Sequence, residues 1–407
     1  MLKLNTEKGL QLILLFALLN SSIFIATSSS GFLRLIVAML MNISGILLII
    51  YFFKKIRKNI NTAFYFKVVF FLLIVWSSYT ILRSISLDSK SLITLFGHYL
   101  MAWAWLTPLA IVFGFNISNW LKSFDFFCKL LFIGSILALG SYFYSLDTVF
   151  GIIEWMAFLP FLLLTHIYQN KRNKKIIVFS IFSYIFLTYV GAQRANILFL
   201  TLLFLFPYFY YLRNKQTNNV KKGVIYFGTF ILIIIVAIQF QNITYKVLEN
   251  KELTTDTRSF LFLEIFSDLS HEEEVFGRGA LGKYYSPHFA YTEKNGLPGD
   301  SPMRSVSEVG YLQMILKGGY VMMILYLLIL LPAAYLGIFK SNNIIAKMSG
   351  YLILSYLVLW GVSYYPVYSA EYILLWMATG TAISKSARKM KNQDLIIKTK
   401  GRLVFVK

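Results

Sequence analysis

The sequence predicts an all-α polytopic membrane protein of about twelve transmembrane helices, with one large outer loop between spans nine and ten. Three observations carry this expectation. Of 407 residues, 57% are hydrophobic and only 14% are charged, where a soluble chain carries about 25% charged side chains. Nearly uncharged runs of about 20 residues recur along the chain, the length that crosses a ~30 Å hydrocarbon core. The 39 Lys and Arg residues outnumber the 18 Asp and Glu, and their placement follows the short connections between those runs. These properties exclude a soluble enzyme, a disordered tail protein and a secreted disulfide scaffold. The single cysteine, Cys128, has no intramolecular partner to bridge to.

The candidate spans cover residues 9–27, 32–53, 63–83, 91–115, 127–146, 149–168, 176–191, 195–212 and 223–240, then 310–338, 348–366 and 369–385. With the N-terminus in the cytoplasm, Lys and Arg collect in the N-terminus, 54–58, 171–175, 213–222 and the tail from Lys385. The short outer loops hold only Arg83, Lys90 and Arg194. This positive-inside asymmetry predicts twelve spans with both termini cytoplasmic. The net charge of +21 therefore reports topology and attraction to anionic membrane lipids, and no nucleic-acid partner is expected. Ala26-Thr27-Ser28 has the small residues of a signal-peptide cleavage site. The charge pattern needs nothing removed, so the first span is expected to stay. The chain thus divides into helices one to nine (1–240), a large extracytoplasmic loop (241–309), helices ten to twelve (310–385) and a basic cytoplasmic tail (386–407).

The 241–309 loop carries most of the acidic residues and far exceeds the roughly 15 residues beyond which loops are commonly functional. Within it, Thr255 to Leu269 has a helical pattern with Phe260, Leu261, Leu263, Phe266 and Leu269 on related faces. Asp256 is placed to cap its start, which predicts an amphipathic helix at the outer interface. Gly277, Gly279, Gly282, Pro287, Gly296, Pro298 and Gly299 then read as irregular loop.

Ionisable residues in apolar spans are costly, and function is the default reading. Lys67 and Lys129 sit at cytoplasmic ends and snorkel. Arg34, His98, Glu154, Arg194, Lys317 and Glu371 map to the outer half, beside the loop residues Arg258, Arg278, Arg304 and Glu308. This gathering suits a water-filled cavity opening outward on an anionic substrate, although pairing among interfacial residues accounts equally well for Arg34 and Glu371. Arg194 stands in a hairpin, Gly191-Ala192-Gln193-Arg194-Ala195-Asn196, with few acidic neighbours in sequence. A guanidinium stays charged and makes bidentate bonds to phosphate. Arg194 and Arg258 together could clamp a pyrophosphate and stabilise charge developing on it as it leaves. Such a clamp needs no metal. His98, His166, His271 and His288 have no paired ligand spacing, and neither a phosphate-binding glycine loop nor a G-x-S-x-G elbow is present. No metal and no cofactor are expected.

Residues 254–338 resemble the shared C-terminal region of the O-antigen polymerase and O-antigen ligase family. The matching residues are Arg258-Ser259-Phe260-Leu261-Phe262, Gly277-Arg278-Gly279, and Glu308-Val309-Gly310-Tyr311-Leu312-Gln313 followed by Gly318-Gly319. The Gly191–Asn196 hairpin resembles the family's earlier outer arginine. Ligases of that family generally carry H-N-x-Y-L at the last motif, whereas Glu308 and Val309 stand here; that departure favours the polymerase, unless His288 or Asp300 fills the role of the missing histidine.

The resemblance implies transfer of a glycan from a polyprenyl-pyrophosphate carrier to a carrier-linked acceptor sugar at the outer face of the cytoplasmic membrane. On that reading Arg194 and Arg258 hold the donor pyrophosphate, assisted by Arg278 or Arg304. Glu308 and then Glu154 are the candidates to orient or deprotonate the acceptor, with His288 and Tyr311 as further substrate contacts. An ion pair at a helix entrance accounts for Glu308 equally well. A flippase supplying the substrate and a chain-length regulator would be natural partners. The alternatives are a ligase, a lipid-linked oligosaccharide flippase, and a non-catalytic member of an export assembly.

Overall fold

A computed structural model describes residues 5–26, 32–56, 62–86, 88–143, 153–190, 196, 198–205, 259–288, 290 and 302–395. Long apolar runs become helices here because only internal hydrogen bonding satisfies the backbone in lipid. The first three are α1 (Thr6–Ala26), α2 (Phe32–Ile56) and α3 (Phe64–Leu82). α4 (Ser89–Gly97) and α5 (Ala102–Leu106) follow, the latter running on as a 3-10 turn over Thr107–Phe115. Next come α6 (Ile117–Tyr142), α7 (Leu159–Leu164) between two 3-10 turns, and α8 (Lys171–Val190). The loop contributes α9 (Ser259–Asp268), α10 (His271–Phe276), and the strands β1 (Tyr284–Tyr285) and β2 (Met303–Arg304). α11 (Gly310–Phe339), α12 (Ile344–Leu359), α13 (Ala370–Ile383) and α14 (Lys385–Lys389) complete the chain. Ile36–Ile56, Phe64–Leu82, Ile117–Tyr142 and Gly310–Phe339 are long and apolar enough to cross a membrane. The described residues are almost wholly helical, with one two-stranded ladder, and the apolar helices mark a membrane-embedded protein.

Several predicted spans take a different shape. Residues 91–115 form a broken element, with Ser89–Gly97 and Ala102–Phe115 bent by 46°. The break at His98–Met101 is held locally: the backbone N–H of Leu100 donates to His98 Nδ1 at 3.2 Å. α6 begins at Ile117 rather than 127, because the Asn116 side chain accepts from the backbone N–H of Ser118 and caps an earlier turn. The segment expected over 149–168 is a 3-10 turn (Ile153–Phe158), α7, and a second 3-10 turn (His166–Tyr168). A 3-10 residue advances about 2.0 Å against 1.5 Å for α, so this short segment reaches further than a plain helix of its length. Half of span eight, all of span nine, and 241–258 lie outside the described residues, Asp256 among them.

Several buried polar groups are paired along the helix contacts. Asn20 donates to Asn42 Oδ1 at 2.8 Å, and Asn42 donates to the Gly97 carbonyl at 3.1 Å. The Trp120 indole donates to Thr381 Oγ1 at 2.8 Å. Large apolar side chains such as Phe71, Phe182 and Leu331 are exposed on the outside of the helices, where lipid rather than water is the natural neighbour.

The element ends sort into two groups. At the loop end, Arg83 after α3 donates to the Phe276 and Gly277 carbonyls at 3.2 and 3.0 Å. At the opposite, tail end, Tyr168 donates to Asn392 at 2.7 Å, and Asn343 donates to the Ala387 carbonyl at 2.8 Å.

The loop helix α9 buries a stripe spaced by four residues, Leu261, Ile265 and Leu269, against Leu312, Ile315 and Leu316 of α11. Of the predicted face, Leu261 and Leu269 are buried and Phe260 and Phe266 pack beside them, while Leu263 is 75% exposed; α9 docks on a long apolar helix. α11 itself is interrupted. Gly319 has φ 69° and ψ −175°, a conformation essentially reserved for glycine. The break frees carbonyls, and the loop and α3 bond them. Arg278 and Gly279 donate backbone N–H groups to the Leu316 and Lys317 carbonyls at 2.8 and 2.9 Å. The Trp76 indole donates to the Gly318 carbonyl at 2.7 Å.

Candidate functional site at the loop end

The Gly277-Arg278-Gly279 turn is the wedge that enters this break. Both glycines have positive φ, 72° and 83°, which lets the backbone lie directly on Lys317 and Gly318. Its arginine points the other way and is fully engaged within the loop. Arg278 Nε and Nη2 donate to the two Glu273 carboxylate oxygens at 2.9 Å. Nη1 meets Asp268 and also donates to the Lys283 carbonyl at 2.7 Å. Glu273 in turn closes a capping box with Ser270 at the start of α10. The Arg278 hydrogen bonds hold the Glu273 carboxyl down at about 2, against an ordinary 4.5.

A carboxyl depressed in the folded state contributes stability that is complete above its ordinary pKa and fades as pH falls through its folded value. Protection of the 277–282 amides from hydrogen exchange is therefore expected to decline between about pH 4.5 and pH 2. In Arg278→Met that acid-dependent step should disappear.

Arg304 and Glu308 lie just beyond. Arg304 pairs across the two-stranded ladder with Tyr284, and Glu308 is exposed two residues before α11. Both act on two buried phenols. Burial pushes Tyr284 up to about 12, with Arg304 opposing and Glu264 and Glu308 adding to the rise. Glu154, Glu308 and Arg304 also act electrostatically on Tyr365, in the turn between α12 and α13. Three residues singled out in the sequence, Glu154, Arg304 and Glu308, therefore share one electrostatic neighbourhood around Tyr365, although they come from separate stretches of chain.

Beside it, the ends of α12 and α13 form a small half-open hollow with room for about one water, lined by Tyr356, Trp360, Tyr364, Tyr365, Glu371 and Tyr372 among others. The Tyr356 hydroxyl donates to Glu371 Oε1, and the Tyr364 hydroxyl donates to Asn196 Oδ1. Tyr364 has φ 58°, rare for a bulky residue and a sign of a backbone held by its surroundings.

The remaining candidates fall elsewhere. Arg194, Arg258 and Asp300 lie outside the described residues, as does the side chain of Arg34. Asn196, two residues after Arg194 in sequence, is the one that reaches the wall of the hollow. His288 is exposed; its backbone N–H donates to Glu264 Oε1 at 3.1 Å and its ring packs 5.0 Å from Phe260. Tyr311 donates to the Leu357 carbonyl at 2.6 Å and stands edge-on to Trp360, tying α11 to α12. Gln313 accepts from the Ser307 N–H at 2.8 Å and fixes the lead into α11. Lys317 is fully buried, with Nζ donating to the Gly282 carbonyl at 2.7 Å.

Sequence reasoning missed the tyrosine wall. Its signal was the Ser363-Tyr364-Tyr365-Pro366 run between two spans, in a chain with 27 tyrosines where one more pair attracts no notice. No protein-family model, curated protein or solved structure matches this chain.

Proposed function

We propose that this chain is a repeat-unit polymerase, transferring a glycan from a polyprenyl-pyrophosphate carrier to a sugar hydroxyl on a second carrier-linked repeat. In this reading it spans the cytoplasmic membrane twelve times with both termini inside, and the loop end faces outward. The observation that carries the reading is the convergence of Arg304 and Glu308 with Glu154 next to a small half-open hollow. It is supported by the contact of Gly277-Arg278-Gly279 with Lys317-Gly318-Gly319, two motif segments about 40 residues apart in sequence.

Arg194 and Arg258 hold the donor pyrophosphate. Arg278 is committed to Asp268 and Glu273, and Arg304, which shares its surroundings with Glu308, assists. The acceptor hydroxyl oxygen attacks the donor's anomeric carbon while the carbon–oxygen bond to the pyrophosphate breaks. The carrier pyrophosphate leaves with the bonding pair, and Glu308 takes the hydroxyl proton. The arginine cluster stabilises the charge gathering on the leaving group.

Purified protein given defined carrier-linked repeat units should produce a ladder of lengthening chains. A single transfer to an unrelated acceptor would instead indicate a ligase, and transbilayer movement of the unaltered substrate would indicate a flippase. Glu308→Gln removes the base while keeping its shape. It is expected to lower kcat for chain extension by about 10²- to 10⁴-fold with little change in acceptor KM.

A further inference from the structure

Lys317 is fully buried, and the transfer chemistry gives it no task. It stands immediately before the Gly318-Gly319 break in α11, and its neighbours Ile315 and Leu316 belong to the apolar cluster under α9. Its amine makes a single hydrogen bond, to the Gly282 carbonyl at 2.7 Å. Among the described residues no carboxylate pairs with it, and the charge that acts on it is that of Lys283, of like sign.

A buried cation without a counter-charge is costly, and the fold has little need of this one. The Arg278 and Gly279 backbone N–H groups already hold the turn to α11. Gly282 is only half-buried, where water can take the place of the amine on its carbonyl. An apolar side chain of similar length would serve packing as well.

What the amine adds is placement. Gly282 leads into β1, where Tyr284 pairs with Arg304. Directly opposed residues of a ladder share a face. Tyr284 is buried and Arg304 half-buried on one face, while Tyr285 and Met303 are exposed on the other. The loop holds β1 through Arg278 Nη1 on the Lys283 carbonyl, Asp268 on the Tyr285 N–H at 3.2 Å and Glu264 on the Ser286 hydroxyl at 2.8 Å. Toward α11, Tyr284 packs with Val309 and Leu312, an apolar contact without direction. The Lys317 hydrogen bond supplies the direction. It ties the strand that carries Arg304's partner to the helix that begins two residues after Glu308.

We propose that Lys317 is a positioning residue: its amine fixes β1 against α11 and so sets Arg304 relative to Glu308. This rests on the polymerase reading for the work that Arg304 and Glu308 do, and on the hydrogen bond and the ladder register alone for the placement.

The test is Lys317→Met in the full-length protein in detergent, which keeps the length of the side chain and removes the donor. Its thermal transition should be unchanged or higher, because exchanging a buried charge for an apolar group of similar volume is often neutral or stabilising. Hydrogen exchange of the 283–286 and 303–304 amides should nonetheless become several-fold faster, while that of α12 and α13 stays the same. In chain extension, kcat should fall by about 10²-fold, the loss that follows from displacing a working group by about 1 Å, with little change in acceptor KM.

A clearly lower thermal transition in Lys317→Met would make the lysine a stability element and overturn the proposal, as would unchanged exchange of the ladder amides. Faster ladder exchange in a protein whose wild type extends no chains keeps the placement of β1 and removes the polymerase. Chain growth by wild type with an unaltered kcat in Lys317→Met keeps the polymerase and removes the positioning role.

Discussion

Gly319→Ala is expected to destabilise the protein by about 2–6 kcal/mol and to release the 270–285 region to proteolysis. The estimate adds two costs. A non-glycine residue forced into this backbone region is strained by about 1–3 kcal/mol, and overpacking of a tight contact costs about 1–3 kcal/mol or more. Both apply at Gly319. Its φ is 69°, and an added Cβ would lie 1.9 Å from the Val275 carbonyl oxygen, a backbone atom with no side-chain freedom to yield. Gly277→Ala meets the same obstacle from the other side, its Cβ falling 2.4 Å from the Lys317 carbonyl. Because the two glycines form one contact, the double variant should cost less than the sum of the singles. Thermal unfolding in detergent, read beside limited proteolysis, measures both. Gly140→Ala is the control. It is helical, nothing lies within 4 Å of its added Cβ, and there alanine should be neutral or slightly stabilising.

Arg194→Ala and Arg258→Ala are each expected to lower polymer yield by about 10²- to 10³-fold, the loss seen when one preorganised donor to a developing charge is removed. The corresponding lysine variants should recover only part of this, since an ammonium keeps the charge and gives up the planar fork. The chain-length distribution of polymer, normalised to protein in the membrane, measures the effect. Wild-type polymer from stably expressed alanine variants would retire the pyrophosphate clamp.

Hydropathy made the helical membrane architecture legible, because the lipid solvent leaves a mark on every spanning residue. It could not reveal how each run is bent. Residues 91–115 are apolar throughout, and only the inconspicuous Gly97-His98 pair marks where α4 ends. In 149–168 the clue was Pro160, which opens α7 and favours a fresh start over a continuous helix. The early start of α6 was hidden by Lys122 and Asp125, which read as a connection and prove to lie on the helix.

Of the candidate site, Glu154, Arg304 and Glu308 were legible because charge is scarce in this chain and therefore conspicuous. The tyrosine wall was hidden for the converse reason: aromatic residues are everywhere, and only three-dimensional packing distinguishes those around the hollow. Within the α9 stripe only Leu263 was misplaced, because Phe260, Leu261, Phe262 and Leu263 form an unbroken apolar run in which several faces fit a helical period.

The interruption in α11 couples the biogenesis of helix and loop. A stretch whose carbonyls at 316, 317 and 318 depend on Arg278, Gly279 and Trp76 would, if inserted by itself, present them bare to hydrocarbon at several kcal/mol apiece. The preceding hydrophilic segment must be in place to pair with them as this helix settles. Excising that segment would therefore harm the bilayer-embedded part as much as it removes an external one, and the two are best regarded as a single unit of assembly.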